Sequence, residues 1–190
     1  MELISFQITG TQPLLVHNDL LANPLHPLTK EMKTLTSKRK KTDEDHEAIM
    51  KIEWEASIYM DQEHGPHIPG VMLEAAIRDA GKLQKLGTTI KRALMVQEDV
   101  VPIIYNGPRI LEKMWRDGSY ADVRSVKVQQ ARVQRCRGTF KTWEAEFTVV
   151  FNPELLDPKT VSDLVATAGQ LIGIGDYRPR FGRFEMKDAA

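Results

Sequence analysis

Between Trp143 and Phe151 the chain alternates without a break: Trp143, Ala145, Phe147, Val149 and Phe151 share one parity, and Glu144, Glu146 and Thr148 the other. Successive side chains of a strand point to opposite faces, so this segment predicts a strand with one buried and one solvated side. The N-terminus repeats the pattern, with Ile4, Phe6 and Ile8 set against Ser5 and Gln7. Two stretches carry a helical period instead. Leu73, Ala76, Ile77, Ala80 and Leu83 follow Pro69-Gly70, with Gly87 as the expected C-terminal cap. Val161, Leu164, Val165, Ala168 and Ile172 follow Asp157-Pro158, a capping carboxylate with proline in the first helical position.

The remaining segments are less regular. Thr42 before Asp43-Glu44-Asp45 marks a helix start, with Ile49, Ile52, Ala56 and Tyr59 as its stripe and an end near Tyr59. Residues around Pro24 and Pro27 predict a loop, and 28–41 show only weak helical period. Short strands are expected at 90–96 and 101–105, one helical turn near Trp115, and a last strand at 181–186. Residues 122–151 read as two long strands. In the first, Val126 and Val128 oppose Ala131 and Val133 in parity, which predicts a bulge at Gln129-Gln130.

The order β-α-β-β-α-β predicts an α+β, ferredoxin-like or RRM-like fold. The expected organisation is one domain over 1–190, with a core of about 1–16, 66–87 and 122–187 and insertions at about 18–66 and 88–121. The sequence has 190 residues. No apolar run approaches the ~18 residues of a membrane span, and Met1 to Phe6 reads as a strand and not as a signal peptide. Cys136 is the only cysteine, which excludes an internal disulfide and a multi-cysteine zinc site. Neither a cofactor nor a metal is expected. The expected location is the cytoplasm of a bacterial cell, without a membrane partner.

Charge supplies the functional signal. There are 26 basic and 26 acidic residues, yet they are segregated. Lys30–Lys41 carries a balance of +5, Arg124–Lys141 +6 and Arg178–Lys187 +3, which leaves −14 for the rest. Basic runs on a neutral chain point to a localised anionic partner. The richest segment is Gly173-Ile174-Gly175-Asp176-Tyr177-Arg178-Pro179-Arg180-Phe181-Gly182-Arg183-Phe184. Its glycines let backbone approach a ligand, its three arginines offer forked donors to phosphate, and Tyr177 and Phe181 offer stacking surfaces. It lacks the Gly-Lys-Ser/Thr ending of a Walker loop. A second segment, His67-Ile68-Pro69-Gly70-Val71-Met72-Leu73-Glu74-Ala75-Ala76-Ile77-Arg78, reads as strand end, tight turn and helix start.

Together the two segments resemble the RAMP superfamily, the repeat-associated proteins of CRISPR RNA-processing and backbone subunits. Ile68, Pro69, Gly70, Leu73, Ala76 and Arg78 match the family's helix-opening motif. Gly173, Ile174, Gly175, Gly182 and Arg183 match its C-terminal glycine-rich loop. The chain departs from the motif at Val71-Met72 and at Glu74, where the family has small polar residues and a lysine. The C-terminal segment is also similar to small bacteriophage proteins ending in Arg-Pro-Arg-Phe-Gly-Arg-Phe.

The resemblance implies a non-catalytic protein that binds single-stranded RNA or DNA, self-associates along the strand or joins a ribonucleoprotein. The candidate contacts are Arg124, Lys127, Arg132, Arg135 and Arg137 on the basic strands, and Gly173, Gly175, Tyr177, Arg178, Arg180, Phe181, Gly182 and Arg183 in the arginine loop. The two groups are expected to line one groove. Two alternatives stand beside this. One is a metal-independent endoribonuclease using His17, with Asp19 close in sequence. The other is a phage protein that binds a host defence complex.

Overall fold

The computed structural model describes residues 1–128 and 130–187. In chain order the elements are strands β1 (Glu2–Gly10) and β2 (Leu14–Leu15), helices α1 (Pro27–Thr36) and α2 (Asp43–Ser57), strands β3 (Met60–Asp61) and β4 (Gly65–Pro69), helices α3 (Gly70–Leu83) and α4 (Gly87–Ala93), and strands β5 (Leu94–Val96) and β6 (Val100–Pro102). Helix α5 (Leu111–Asp117), strands β7 (Ala121–Val128), β8 (Ala131–Phe140) and β9 (Glu144–Phe151), helix α6 (Pro158–Thr167) and strand β10 (Phe184–Met186) follow. A π-helical turn, Ala168–Ile172, continues α6. The chain is α+β, and its described strand pairings are antiparallel. It divides into two compact units: unit 1 holds Met1–Leu14, Met60–Asn106 and the residues from Phe140 onward, and unit 2 holds Leu15–Tyr59 and Gly107–Thr139.

Unit 1 is built on a four-stranded sheet in the order β10-β1-β9-β5. The two alternating segments of the sequence are its central pair. Ile4 lies opposite Val149, Phe6 opposite Phe147 and Ile8 opposite Ala145, and the Phe6 and Phe147 ring centroids are 5.8 Å apart. Helices α3 and α6 bury their apolar stripes in the same unit, through Leu73, Ala76, Ile77 and Ala80 and through Val161, Leu164 and Val165, with Ala168 buried in the turn that follows. Full burial of each large apolar side chain contributes roughly 1.5–3 kcal/mol. Trp143 is seated by a missing side chain: a Cβ on Gly10 would fall 2.1 Å from its Nε1, and that nitrogen donates to the Gln12 carbonyl at 2.9 Å.

Local chemistry explains both helix starts. Asp157 accepts a bond from the Thr160 N–H at 2.9 Å, with Pro158 at the first position of α6. At α3, the Gly70 N–H donates to the Asp99 carbonyl at 3.0 Å, and a Cβ on Gly70 would lie 2.0 Å from the Glu98 carbonyl oxygen. The Pro69-Gly70 pair is therefore where the β5–β6 connection crosses the start of the helix. Glu74 is engaged too, accepting the Val96 N–H at 2.9 Å.

The C-terminal end of α3 differs from the sequence expectation. The left-handed residue is Lys85, at φ 61°, while Gly87 opens α4. The Leu86 N–H reaches back to the Gly81 carbonyl at 2.8 Å, closing a Schellman-type cap around the lysine. Holding a residue with a side chain there costs on the order of 1 kcal/mol against glycine. The segment expected as a strand from 90 is helical to Ala93, and only Leu94–Val96 pairs, with β9.

Unit 2 departs from expectation at Pro27, where a helix stands in place of the loop. Pro27 occupies its first turn, and the His26 Nδ1 accepts the Leu28 N–H at 3.3 Å. Its apolar stripe, Leu28, Met32 and Leu35, is half-buried, and no residue of the helix is fully buried. Helix α2 has the expected cap: the Thr42 hydroxyl accepts the Asp45 N–H at 3.3 Å and the Asp45 carboxylate accepts the Thr42 N–H at 3.1 Å. Its buried residues include Ile52, Trp54 and Ala56. The Trp54 Nε1 donates to the Tyr120 carbonyl at 2.8 Å, and its ring stands 5.2 Å from that of Trp115.

The two long strands expected over 122–151 are three. Strands β7 and β8 form a hairpin in unbroken register from Ala121–Gly138 to Val128–Ala131. The parity change read as a bulge comes from this chain reversal; Gln129 itself lies outside the described residues. The hairpin joins a three-stranded sheet, β2-β8-β7, separate from the four-stranded one. The Gly138 N–H donates to the Ser57 hydroxyl at 2.7 Å, and its carbonyl accepts the Val16 N–H at 2.9 Å.

Candidate nucleic-acid interface

The arginine loop lies in unit 1 between the π-helical turn and β10. Its glycines are explained by closure of the loop on itself. Gly173, Gly175 and Gly182 all have positive φ. A Cβ on Gly182 would fall 1.8 Å from the Ile174 carbonyl oxygen, and one on Gly173 would fall 2.7 Å from that of Phe181. The Ile174 N–H donates to the Gly182 carbonyl at 2.9 Å, and the Gly182 N–H donates to the Pro13 carbonyl at 2.9 Å. The backbone amides of Ile174 and Gly182 are thus already bonded within the fold.

Tyr177, Arg178 and Arg180 are exposed around this closure. Tyr177 sits at φ 58° with 42% of its surface exposed. A bulky residue in the left-handed region is a backbone outlier, and such outliers concentrate at binding sites. Its ring meets Phe181 edge-on, with centroids 6.4 Å apart. Arg178 and Arg180 lie beside it in the loop, both exposed. The Arg183 Nε donates to the Pro179 carbonyl at 2.8 Å, so one edge of that guanidinium holds the loop. Arg178 stands 3.7 Å from the Asp79 carboxylate. Gly175, Tyr177 and Arg178 line a shallow cleft of about 490 Å³ together with Asp79 and Asp176.

The five cations expected on the basic strands lie on the β7–β8 hairpin of unit 2. Arg124 faces Arg135, and Lys127 faces Arg132. Register puts Arg124, Arg135 and Arg137 on one face and Lys127 and Arg132 on the other. Two arginines of the first face are compensated: Arg124 grips Asp122 with two donors, and Arg135 is bonded to Glu53 on α2. The second Glu53 oxygen accepts the Cys136 N–H at 3.2 Å. Lys127 and Arg132 are exposed. The two candidate groups belong to different units.

His17 is exposed in unit 2, directly after Val16, and its carbonyl accepts the Tyr59 hydroxyl at 3.2 Å. His64 pairs with Asp61 at 2.8 Å in the β3–β4 turn. The Asp61 carboxyl titrates at about 2, chiefly because the His64 N–H bonds its charged form, with the His64 ring adding to the effect. Burial lowers the pKa of His67 from its usual 6.5. Burial also pushes the Cys136 thiol up to about 11, which leaves it a poor nucleophile at neutral pH. Among the described residues, no three His, Cys, Asp or Glu side chains gather as a metal site, and no helix is long and apolar enough to cross a membrane.

One basic cluster escapes a reading of the sequence. Arg78, Lys82, Lys85, Lys91 and Arg92, from α3, its cap and α4, line a cleft of about 920 Å³ in unit 1. Its signal is five basic residues against the single acid Asp79 over 78–92. The apolar stripe of α3 interleaves with these cations and dilutes the run. A further cleft of unit 1 carries Glu146 and Glu185 beside Ser5 and Gln7, a poor seat for phosphate. The chain matches no protein-family model and no curated protein.

Proposed function

We propose that the protein binds single-stranded nucleic acid, RNA in the first instance, through the arginine loop. The observation that carries this reading is Tyr177: an exposed ring held on a left-handed backbone, beside two exposed arginines and edge-on to Phe181. An aromatic face with guanidinium groups beside it suits a base and its flanking phosphates. On the hairpin of unit 2, Lys127 and Arg132 add a like-charge pair that an anion would relieve.

The fold we assign to unit 1 is ferredoxin-like. Support comes from the sheet order β10-β1-β9-β5 with α3 after β1 and α6 after β9, which follows the β-α-β-β-α-β scheme. The RAMP resemblance joins this as a family proposal, with assembly of copies along a strand as its corollary.

The test is binding of labelled single strands across a salt series. Replacing Arg178 and Arg180 with alanine should lower the slope of log affinity against log salt by ~0.7 for each phosphate no longer neutralised. Tyr177→Ala should cost about 1–3 kcal/mol if a base stacks there. Affinity and slope unchanged in both variants reject the reading. Cleavage of the labelled RNA by the wild type, abolished in His17→Ala, would replace it with the endoribonuclease alternative.

A further inference from the structure

We infer that the cleft between α3 and α4 holds consecutive phosphates of the bound strand without reading its bases. The inference rests on the nucleic-acid reading of the arginine loop and assigns a second, chemically different part of the same path. Arg78, Lys82, Lys85, Lys91 and Arg92 supply the walls, and the rest of the described lining is Gly87 and Thr88. The lining holds cations, a hydroxyl and backbone, with no aromatic ring on which a base would stack. Among the described residues, Arg78, Lys85, Lys91 and Arg92 form no salt bridge, whereas Lys82 bonds Asp79 at 2.7 Å. Grouping these charges without matching carboxylates is unfavourable in the free protein and favourable once an anion enters.

Lys85 adds an independent argument. It occupies the one position of the α3 cap where glycine would be favoured, at φ 61°, and its side chain lines the cleft. A residue that breaks a local rule while facing a charged cleft fits a functional requirement better than a structural one. Continuity with the loop comes from Asp79. One of its oxygens bonds Lys82 and the other stands 3.7 Å from Arg178, so the cleft and the loop meet at this carboxylate. A strand whose base stacks on Tyr177 would have its neighbouring phosphates led past Asp79 into the cleft.

The probe is an abasic deoxyribose-phosphate oligomer, compared with a base-bearing strand of equal length and with inorganic tripolyphosphate. Lys85→Gly should weaken abasic binding and reduce its salt slope by ~0.7. Its melting temperature should equal or exceed that of the wild type, so weaker binding would not reflect unfolding. Asp79→Asn, which removes the carboxylate between the two sites, should tighten binding of both strands. Abasic and base-bearing binding unmoved by either variant, while Tyr177→Ala and Arg180→Ala still weaken the base-bearing strand, overturns the inference and leaves the loop reading intact. Cleft-dependent abasic binding with no effect of Tyr177→Ala or Arg180→Ala on the base-bearing strand supports the cleft and removes the loop reading. Tripolyphosphate bound with no affinity for either strand overturns the strand assignment.

Discussion

The arginine loop and the β7–β8 hairpin look alike in sequence, each an arginine-rich run with few acids beside it. In the folded chain they differ. The hairpin's Arg135 is met by Glu53, a residue 82 positions earlier, and Arg124 is met by Asp122 on the same face. In the loop, Arg178 has a carboxylate only at 3.7 Å, and Arg183 commits one nitrogen to a backbone carbonyl. Charge counted along a chain is therefore not charge available to a ligand. What decides is whether another element brings a carboxylate to the same place. The second contrast is in how each is held. The loop depends on glycines and backbone bonds, the hairpin on a strand ladder and ion pairs.

The largest effect expected from breaking this comparison is on the loop. In Gly182→Ala, the new Cβ meets the Ile174 carbonyl oxygen at 1.8 Å with φ at +68°. The cost should be about 3 kcal/mol in urea unfolding. A change below about 0.5 kcal/mol, the ordinary range of surface substitutions, would show that the loop is not built on its backbone. Next comes Glu53→Ala, which strands the Cys136 N–H and frees Arg135. The expected destabilisation is about 2 kcal/mol, with a gain in affinity for single strands if the hairpin contributes to binding. A smaller effect follows from Arg132→Glu, which turns a like-charge cross-strand pair with Lys127 into an opposite one. It should stabilise by about 0.2–1 kcal/mol while weakening strand binding.

The smallest effect concerns His67, whose lowered pKa means that, as pH falls, the unfolded chain takes up a proton before the folded one. Stability should be full above the usual histidine value of 6.5 and should fall as pH drops below it. His67→Gln should flatten that part of the profile, read from urea midpoints between about pH 8 and pH 5.

What is legible in the sequence is local. The Thr42 box, the Asp157-Pro158 start, the stripe of α3 and the alternation of β1 and β9 each depend on residues close together in the chain. The unreadable parts depend on partners far away. Alternation cannot say where the chain reverses, so β7 and β8 merge into one strand. Helix α1 is hidden because Pro24 and Pro27 read as loop signals, whereas Pro27 occupies the first turn of the helix. The glycines of the arginine loop are legible as residues needing freedom, but not as residues making room for the Ile174 and Phe181 carbonyls. Lys85 is not legible as a cap because Gly87, two residues on, is the more obvious one.

The pairing of β1 has a consequence for synthesis. Its partners are β9 and β10, so its buried residues Phe6 and Ile8 have no sheet to join until Glu144–Phe151 has been made. At about 5–20 residues per second that is a wait on the order of ten seconds. The two segments of unit 2 are complete by Thr139, before β9 exists. A ribosome making this chain therefore holds out a greasy, unpaired β1 until β9 emerges, and chaperone traffic on the nascent chain should concentrate there.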